Sequence, residues 1–256
     1  MGEPAHGPSS AADPTASAAL KPLLEDYAGR FDAAAHVQRD PLQFPHRFAE
    51  PADAEAVAFL AASLAFGRVA SFSTVLESMV NALGERPADA LRQGDPAVLR
   101  AATPRRYRWL DPDDLRALLA AVGSALNEVG SLEALYAAGM QGDPWADLGR
   151  FLLRLRAFAE AAHPAAADRS RALAFLFPRT DGAAACKRQH LFLRWMVRPP
   201  REGLDFGIWR ALRPDQLVMP ADVHTARIGH ALGLCSRPDP DRRGADELTA
   251  SLRLID

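Results

Sequence analysis

Apolar residues along this chain recur with the three-to-four spacing of a helix face almost from end to end. Val57, Leu60, Ala61 and Leu64 form one stripe before Gly67, and Val75, Leu76, Met79, Val80 and Leu83 form another before Gly84. Asp111 followed by Pro112 opens a stretch carrying Leu115, Leu118, Leu119, Val122 and Leu126. Ser131 is placed to cap a short helix through Leu135; Trp145, Leu148, Leu152, Leu155 and Phe158 mark the next; Ser170 caps one that ends at Phe177-Pro178. Further on, Ala184 to Val197 reads as the most apolar helix, and Asp222 as the N-cap of a helix that Gly233 stops. No run alternates with period two for long enough to make a strand, so the expected fold class is all-α. Residues 1 to about 19 are rich in Ala, Pro, Ser and Gly without periodicity, and read as a disordered tail.

A chain of 256 residues that is 48% hydrophobic can bury a substantial core, and residues 20–256 are expected to form it. The two cysteines, Cys186 and Cys235, cannot supply a four-cysteine metal site or an iron–sulfur cluster. With no signal peptide or long apolar span, the expectation is a cytoplasmic protein with reduced thiols, no membrane association, no metal and no cofactor. Cys186 reads as a small packed residue rather than a nucleophile. Net charge is −2, which argues against indiscriminate coating of nucleic acid. Its distribution is uneven: residues 179–213 hold eight basic and three acidic side chains, a basic stretch able to grip phosphates or to pair with acids elsewhere. Arg105, Arg106 and Arg108, with Tyr107 and Trp109 interleaved, form a smaller basic cluster that could touch nucleic acid but reads first as a loop anchoring its aromatics in the core.

Only two of the 30 basic residues are lysines, Lys21 and Lys187. Arginine is never deprotonated in a protein, whereas a lysine amine made neutral by its surroundings becomes a nucleophile. The approach Phe177-Pro178-Arg179-Thr180-Asp181-Gly182 is a turn-forming stretch with glycine where a hairpin needs positive φ. Lys187 then falls near the first turn of its helix, where the positive end of the dipole favours the neutral amine. Asp222, as an N-cap, is expected to stay ionised; capping alone would also account for it.

The turn-Gly-x-x-x-Cys-Lys helix and the later Asp222-x-His224-x-x-Arg227 resemble the helix-hairpin-helix DNA glycosylase superfamily. By that resemblance Lys187 matches the nucleophilic lysine and Asp222 the catalytic aspartate. The 35-residue interval between them looks more like the archaeal GO glycosylase branch than endonuclease III. The span from about Leu20 also looks like a bacterial family of unknown function. Its signatures here are Asp40-Pro41-Leu42, the run Ala58 to Arg68, Ala185-Cys186-Lys187-Arg188 and the run Leu191 to Arg198. The hairpin departs from the glycosylase pattern by an expanded, single-glycine turn. The chain also stops at Leu252-Arg253-Leu254-Ile255-Asp256, inside what reads as a helix, where relatives are expected to continue.

The resemblance implies two helical lobes with a cleft between them, lobe A over about 53–198 and lobe B over about 20–52 plus 199–256. The implied activity is a DNA glycosylase and AP lyase that acts as a monomer on duplex DNA carrying a damaged base, through a lysine Schiff base. Arg68, Gly182, Arg188, Arg194, His224 and Arg227 are its implied DNA contacts, Arg68 filling the gap left by the extruded base. Two other readings stay open: a non-catalytic nucleic-acid-binding helical module, and a helical protein-interaction scaffold.

Overall fold

Proline, usually a helix breaker, opens helices here. In the computed structural model, which describes residues 14–163, 170–200 and 203–255, proline is the first residue of α3 (Pro51–Leu64), α5 (Pro87–Gln93), α6 (Pro96–Ala102), α7 (Pro112–Val129) and α9 (Pro144–Ala162). At that position its missing N–H costs nothing and its fixed φ suits the helix. Aspartates often stand just before: Asp95, Asp111 and Asp143 cap α6, α7 and α9. The remaining helices are α1 (Pro14–Gly29), α2 (Ala33–Val37), α4 (Val69–Leu83), α8 (Leu132–Ala138), α10 (Ser170–Leu176), α11 (Lys187–Val197), α12 (Val223–Ala231) and α13 (Arg242–Arg253). No strand occurs among the described residues, so the fold is all-α as the periodicity predicts. Of the tail expected over 1 to about 19, residues 1–13 lie outside the described residues; from Pro14 the chain is helical. The C-terminal helix ends at Arg253 with Leu254 as its C-cap, so Leu254 and Ile255 follow the helix rather than continue it.

The chain divides into two compact units, the larger from Asp32–Asp181 and Arg188–Gln216, the smaller from Met1–Phe31, Gly182–Lys187 and Leu217–Asp256. Residues 32–52, 199–200 and 203–216 belong to the larger unit. Specific bonds put them there: Phe206 N and Trp209 N donate to Trp195 O and Met196 O at 2.7 and 2.9 Å, and the Phe206 ring stacks on His46 at 4.4 Å.

At the centre of the larger unit, α3 is buried on every side from Asp53 to Leu64, which its single predicted stripe underestimates. Two acids lie on it, and each satisfies the N-terminus of another helix. Asp53 accepts from Ala88 N of α5 at 2.8 Å, and Glu55 accepts from Leu132 N and Glu133 N of α8 at 2.9 Å each and from Trp209 Nε1 at 2.7 Å. Burial pushes the Glu55 carboxyl up from its ordinary value, against the lowering pull of those three donors. Close helix contact is purchased with glycine at α7: a Cβ on Gly123 would stand 2.1 Å from Leu91 O of α5.

In the smaller unit α12 packs on α13 and α1 on α13. Gly233, at φ 74°, stops α12 with Leu234 N on Gly229 O at 2.8 Å and Gly233 N on His230 O at 3.0 Å, the paired closure that a left-handed glycine permits. The stop predicted at Gly233 is therefore met, and its physical cause is the one expected.

Candidate functional site

The segment before Lys187 is not helical. Within the smaller unit Arg242 N donates to Ala183 O at 2.8 Å, and Ala184 forms a bridge with Asp241. These ties hold the chain against the start of α13 while Ala185 and Cys186 are buried. The helix expected from Ala184 consequently begins only at Lys187. The left-handed residue of the turn is Cys186, at φ 45°, and Gly182 is exposed with no positive φ. The reversal falls where burial and the hydrogen bonds to α13 force it rather than where glycine would have made it easiest, since an L-residue in this region costs energy that surrounding packing must offset.

That turn aims the amine of Lys187 at the N-terminus of α12. Lys187 Nζ donates to Asp222 Oδ2 at 2.7 Å, with the two side chains 43% and 27% exposed. The aspartate divides its oxygens between two tasks. Oδ1 accepts from Thr225 N at 2.8 Å, and Thr225 Oγ1 accepts from Asp222 N at 2.7 Å, a reciprocal capping box; Oδ2 is left for the amine. Partial burial works to raise the Asp222 carboxyl, but the Lys187 ammonium and the Thr225 N–H outweigh it and hold the pKa down at about 2. The arrangement is an accessible amine in contact with a carboxylate that is ionised at any physiological pH.

The other candidate residues scatter by role. His224 and Arg227 are exposed on α12, beyond Asp222 in the same unit. Arg68 is exposed at the N-cap of α4 in the larger unit. Arg188 turns inward: it donates to Ser63 O and Phe175 O at 2.6 Å each and lies 3.8 Å from the Phe175 ring centroid. Arg194 faces the buried Asp205, Nε to Oδ1 at 3.2 Å, an acid that Arg198 also approaches at 3.6 Å. As placed, Arg188 and Arg194 are engaged inside the larger unit, and neither presents its guanidinium to a phosphate. Helical spacing alone does not distinguish an arginine on a wet face from one donating to carbonyls of a neighbouring element.

Thr225 was absent from the residues singled out by sequence, although an N-cap aspartate followed three residues later by a hydroxyl is a readable signal. The acids Asp53 and Glu55 left no such signal, because their partners lie 35 or more positions away. A concavity of about 550 Å³ sits against the same turn, lined by Gly182, Ala183, Arg237, Asp241, Arg242 and Glu247 among others. Its charges neutralise one another, Arg237 with Asp239 and Asp241, Arg243 with Glu247 at 2.9 Å, and neither Lys187 nor Asp222 lines it.

Residues 40–256 match the model of a family described as a protein of unknown function (DUF2400). The chain belongs to that family. No curated protein and no solved structure matches the chain. The family span takes in both members of the amine–carboxylate pair and opens at Asp40, whose Oδ1 accepts from Leu42 N at 2.9 Å to cap the short helical turn Pro41–Gln43. Among the described residues no single helix is long and apolar enough to cross a membrane.

Proposed function

We propose that this chain is a base-excision DNA glycosylase and AP lyase that works through a Schiff base on Lys187. The observation that carries the reading is the 2.7 Å contact between Lys187 Nζ and Asp222 Oδ2. Two residues 35 positions apart, singled out by a sequence resemblance, meet at the N-termini of two helices with the amine accessible. A nucleophile within hydrogen-bond reach of a carboxylate, the carboxylate oriented by a third group and able to stabilise positive charge, is an arrangement that covalent catalysis by an amine uses.

In the proposed reaction a damaged base leaves the stack, which costs about a few kcal/mol and least for a damaged or mispaired base. Lys187 Nζ forms a bond to the sugar C1′, the C1′–N bond breaks, and the base departs with that electron pair. Asp222, ionised, stabilises positive charge developing on the sugar; the proton that the Lys187 ammonium sheds before it attacks goes to solvent, since a carboxylate whose pKa is held at about 2 is too weak a base to keep it. The adduct nitrogen passes a proton to O4′ as the C1′–O4′ bond breaks, giving the iminium; the departed base takes a C2′ proton, the 3′ phosphate leaves with its C–O electron pair, and water hydrolyses the imine to release the sugar aldehyde and the amine. Thr225 holds Oδ1 throughout, so Oδ2 stays on the amine's side.

Borohydride trapping on duplexes carrying an abasic site, 8-oxoguanine or uracil tests this. A covalent adduct with the native chain and none with Lys187→Gln is the expected result, and the duplex that traps names the lesion class. If the folded protein traps on none of them, the Schiff-base reading is wrong and a binding module is the better account.

A further inference from the structure

Many arginines among the described residues are ion-paired, among them Arg47 with Glu77, Arg86 with Asp53 and Asp89, Arg106 with Asp111, Arg154 with Glu128, and Arg213 with Asp215. Several exposed arginines have no carboxylate partner among the described residues, Arg39, Arg100, Arg105, Arg210 and Arg227 as well as Arg68, Arg108 and Arg171; the last three are set apart by where they lie. All three belong to the larger unit and border one aromatic cluster. Phe66 packs on Tyr107 and on Phe175 at 4.7 Å each, and Trp109 packs on Phe175 at 4.8 Å. Arg171 lies 5.2 Å over the Trp109 ring and Arg108 6.0 Å over Phe66. Arg68 follows Gly67, where a Cβ would fall 2.7 Å from Arg108 Nη1.

Arg108 sits at the tip of a tight turn closed by Tyr107 N on Leu110 O and Leu110 N on Tyr107 O, each 2.9 Å, and its φ is 54°. Such a position ordinarily takes glycine, asparagine or aspartate. Tyr107 is the anchor, buried with its hydroxyl donating to the carbonyls of Leu64 and Phe66, so the residue after it is thrust outward. A strained, exposed arginine without a counter-charge costs stability, and such strain gathers where the side chain is used. Guanidiniums laid on ring faces keep their N–H edges free and lose little further entropy on meeting an anion.

We infer that Arg108 and Arg171, laid on the Phe66–Trp109–Phe175 cluster, together with Arg68 next to Gly67 at its edge, form a docking surface for the phosphodiester backbone of DNA. The anchoring surface of the larger unit is then this arginine–aromatic face and not the basic stretch of α11, whose Arg188 and Arg194 are engaged internally. The inference takes from the proposed function only the class of partner and makes no use of Lys187 chemistry.

The test is fluorescence anisotropy of an undamaged duplex, titrated over a series of KCl concentrations, with the native chain and with Arg68→Ala/Arg108→Gly/Arg171→Ala. Glycine at 108 keeps the turn's positive φ available, and thermal melts of both proteins show that the variant is folded. Removing one phosphate-neutralising side chain flattens the log–log salt dependence by about 0.9, so a decrease of about 2 to 3 is expected, with affinity down at least about tenfold. Arg30→Ala/Arg213→Ala/Arg243→Ala, which removes three ion-paired arginines, should leave the salt slope as in the native chain. An unchanged slope in the first variant overturns the inference, as does the absence of duplex binding by the native chain. Competition by poly-glutamate as effective as by duplex DNA, charge for charge, also overturns it in favour of an acidic peptide. Lys187→Gln separates the two readings: loss of trapping with an unaltered slope concerns the chemistry alone.

Discussion

Replacing Lys187 with methionine keeps most of the side chain's bulk and removes only the charge that Asp222 meets, so the consequence can be worked through. Asp222 is depressed from 3.8 to about 2 by the Lys187 ammonium and the Thr225 N–H, against partial burial. At about 1.4 kcal/mol per tenfold change in proton affinity, that depression corresponds to a ceiling of about 2.5 kcal/mol. Solvent screens a pair this exposed, and the Thr225 N–H survives the substitution, which leaves about 1 kcal/mol for the ammonium. A carboxyl depressed in the folded state contributes stability that is complete above its unfolded value of 3.8 and is lost as pH falls through about 2. Urea unfolding should therefore find Lys187→Met about 1 kcal/mol less stable than the native chain at pH 7, the gap closing as pH drops below about 4. Carbon-detected NMR of the Asp222 carboxyl should show its titration moving up toward 3.8 in the variant. If Asp222 titrates at the same pH in both proteins, the ammonium contributes nothing to the carboxylate, and the coupling on which the proposed chemistry draws is absent.

Two further substitutions probe the scaffold of the larger unit. Glu55→Ala strips the acceptor from Leu132 N, Glu133 N and Trp209 Nε1 at once; chemical denaturation should show a loss of about 3 kcal/mol or more, and Glu55→Gln, which keeps an acceptor oxygen, a smaller one. Gly123→Ala would raise helix propensity by up to about 1 kcal/mol at an open site, but a Cβ there meets Leu91 O at 2.1 Å. The expected outcome is a lower melting temperature, and a rise would mean that α5 and α7 can separate at no cost.

Helix positions, caps and stops were legible because their causes are local. Asp111-Pro112, Ser131, Asp222 and Gly233 act on backbone groups within a few residues, and the structure places caps or a stop at each. The stripes from Val75 to Leu83 and from Leu115 to Leu126 are buried as their spacing predicts, since a 3.6-residue period leaves one face toward the core. Lys187 stands out for what a lysine amine can do, whereas Asp222 is legible as an N-cap and owes its candidate catalytic role to the resemblance.

Their meeting at 2.7 Å was a tertiary result, because it depends on Ala183 and Ala184 being held to the start of α13 and on Cys186 accepting a left-handed backbone. The same holds for Glu55, whose partners Leu132 and Trp209 stand 77 and 154 positions away. It holds for Arg188 and Arg194 too, whose engagements follow from which carbonyls and carboxylates the packing brings near. Local physics is written in neighbours along the chain and can be read there. Whether an arginine is wet or engaged, and which acid an amine meets, depends on neighbours in space, which only the folded chain supplies.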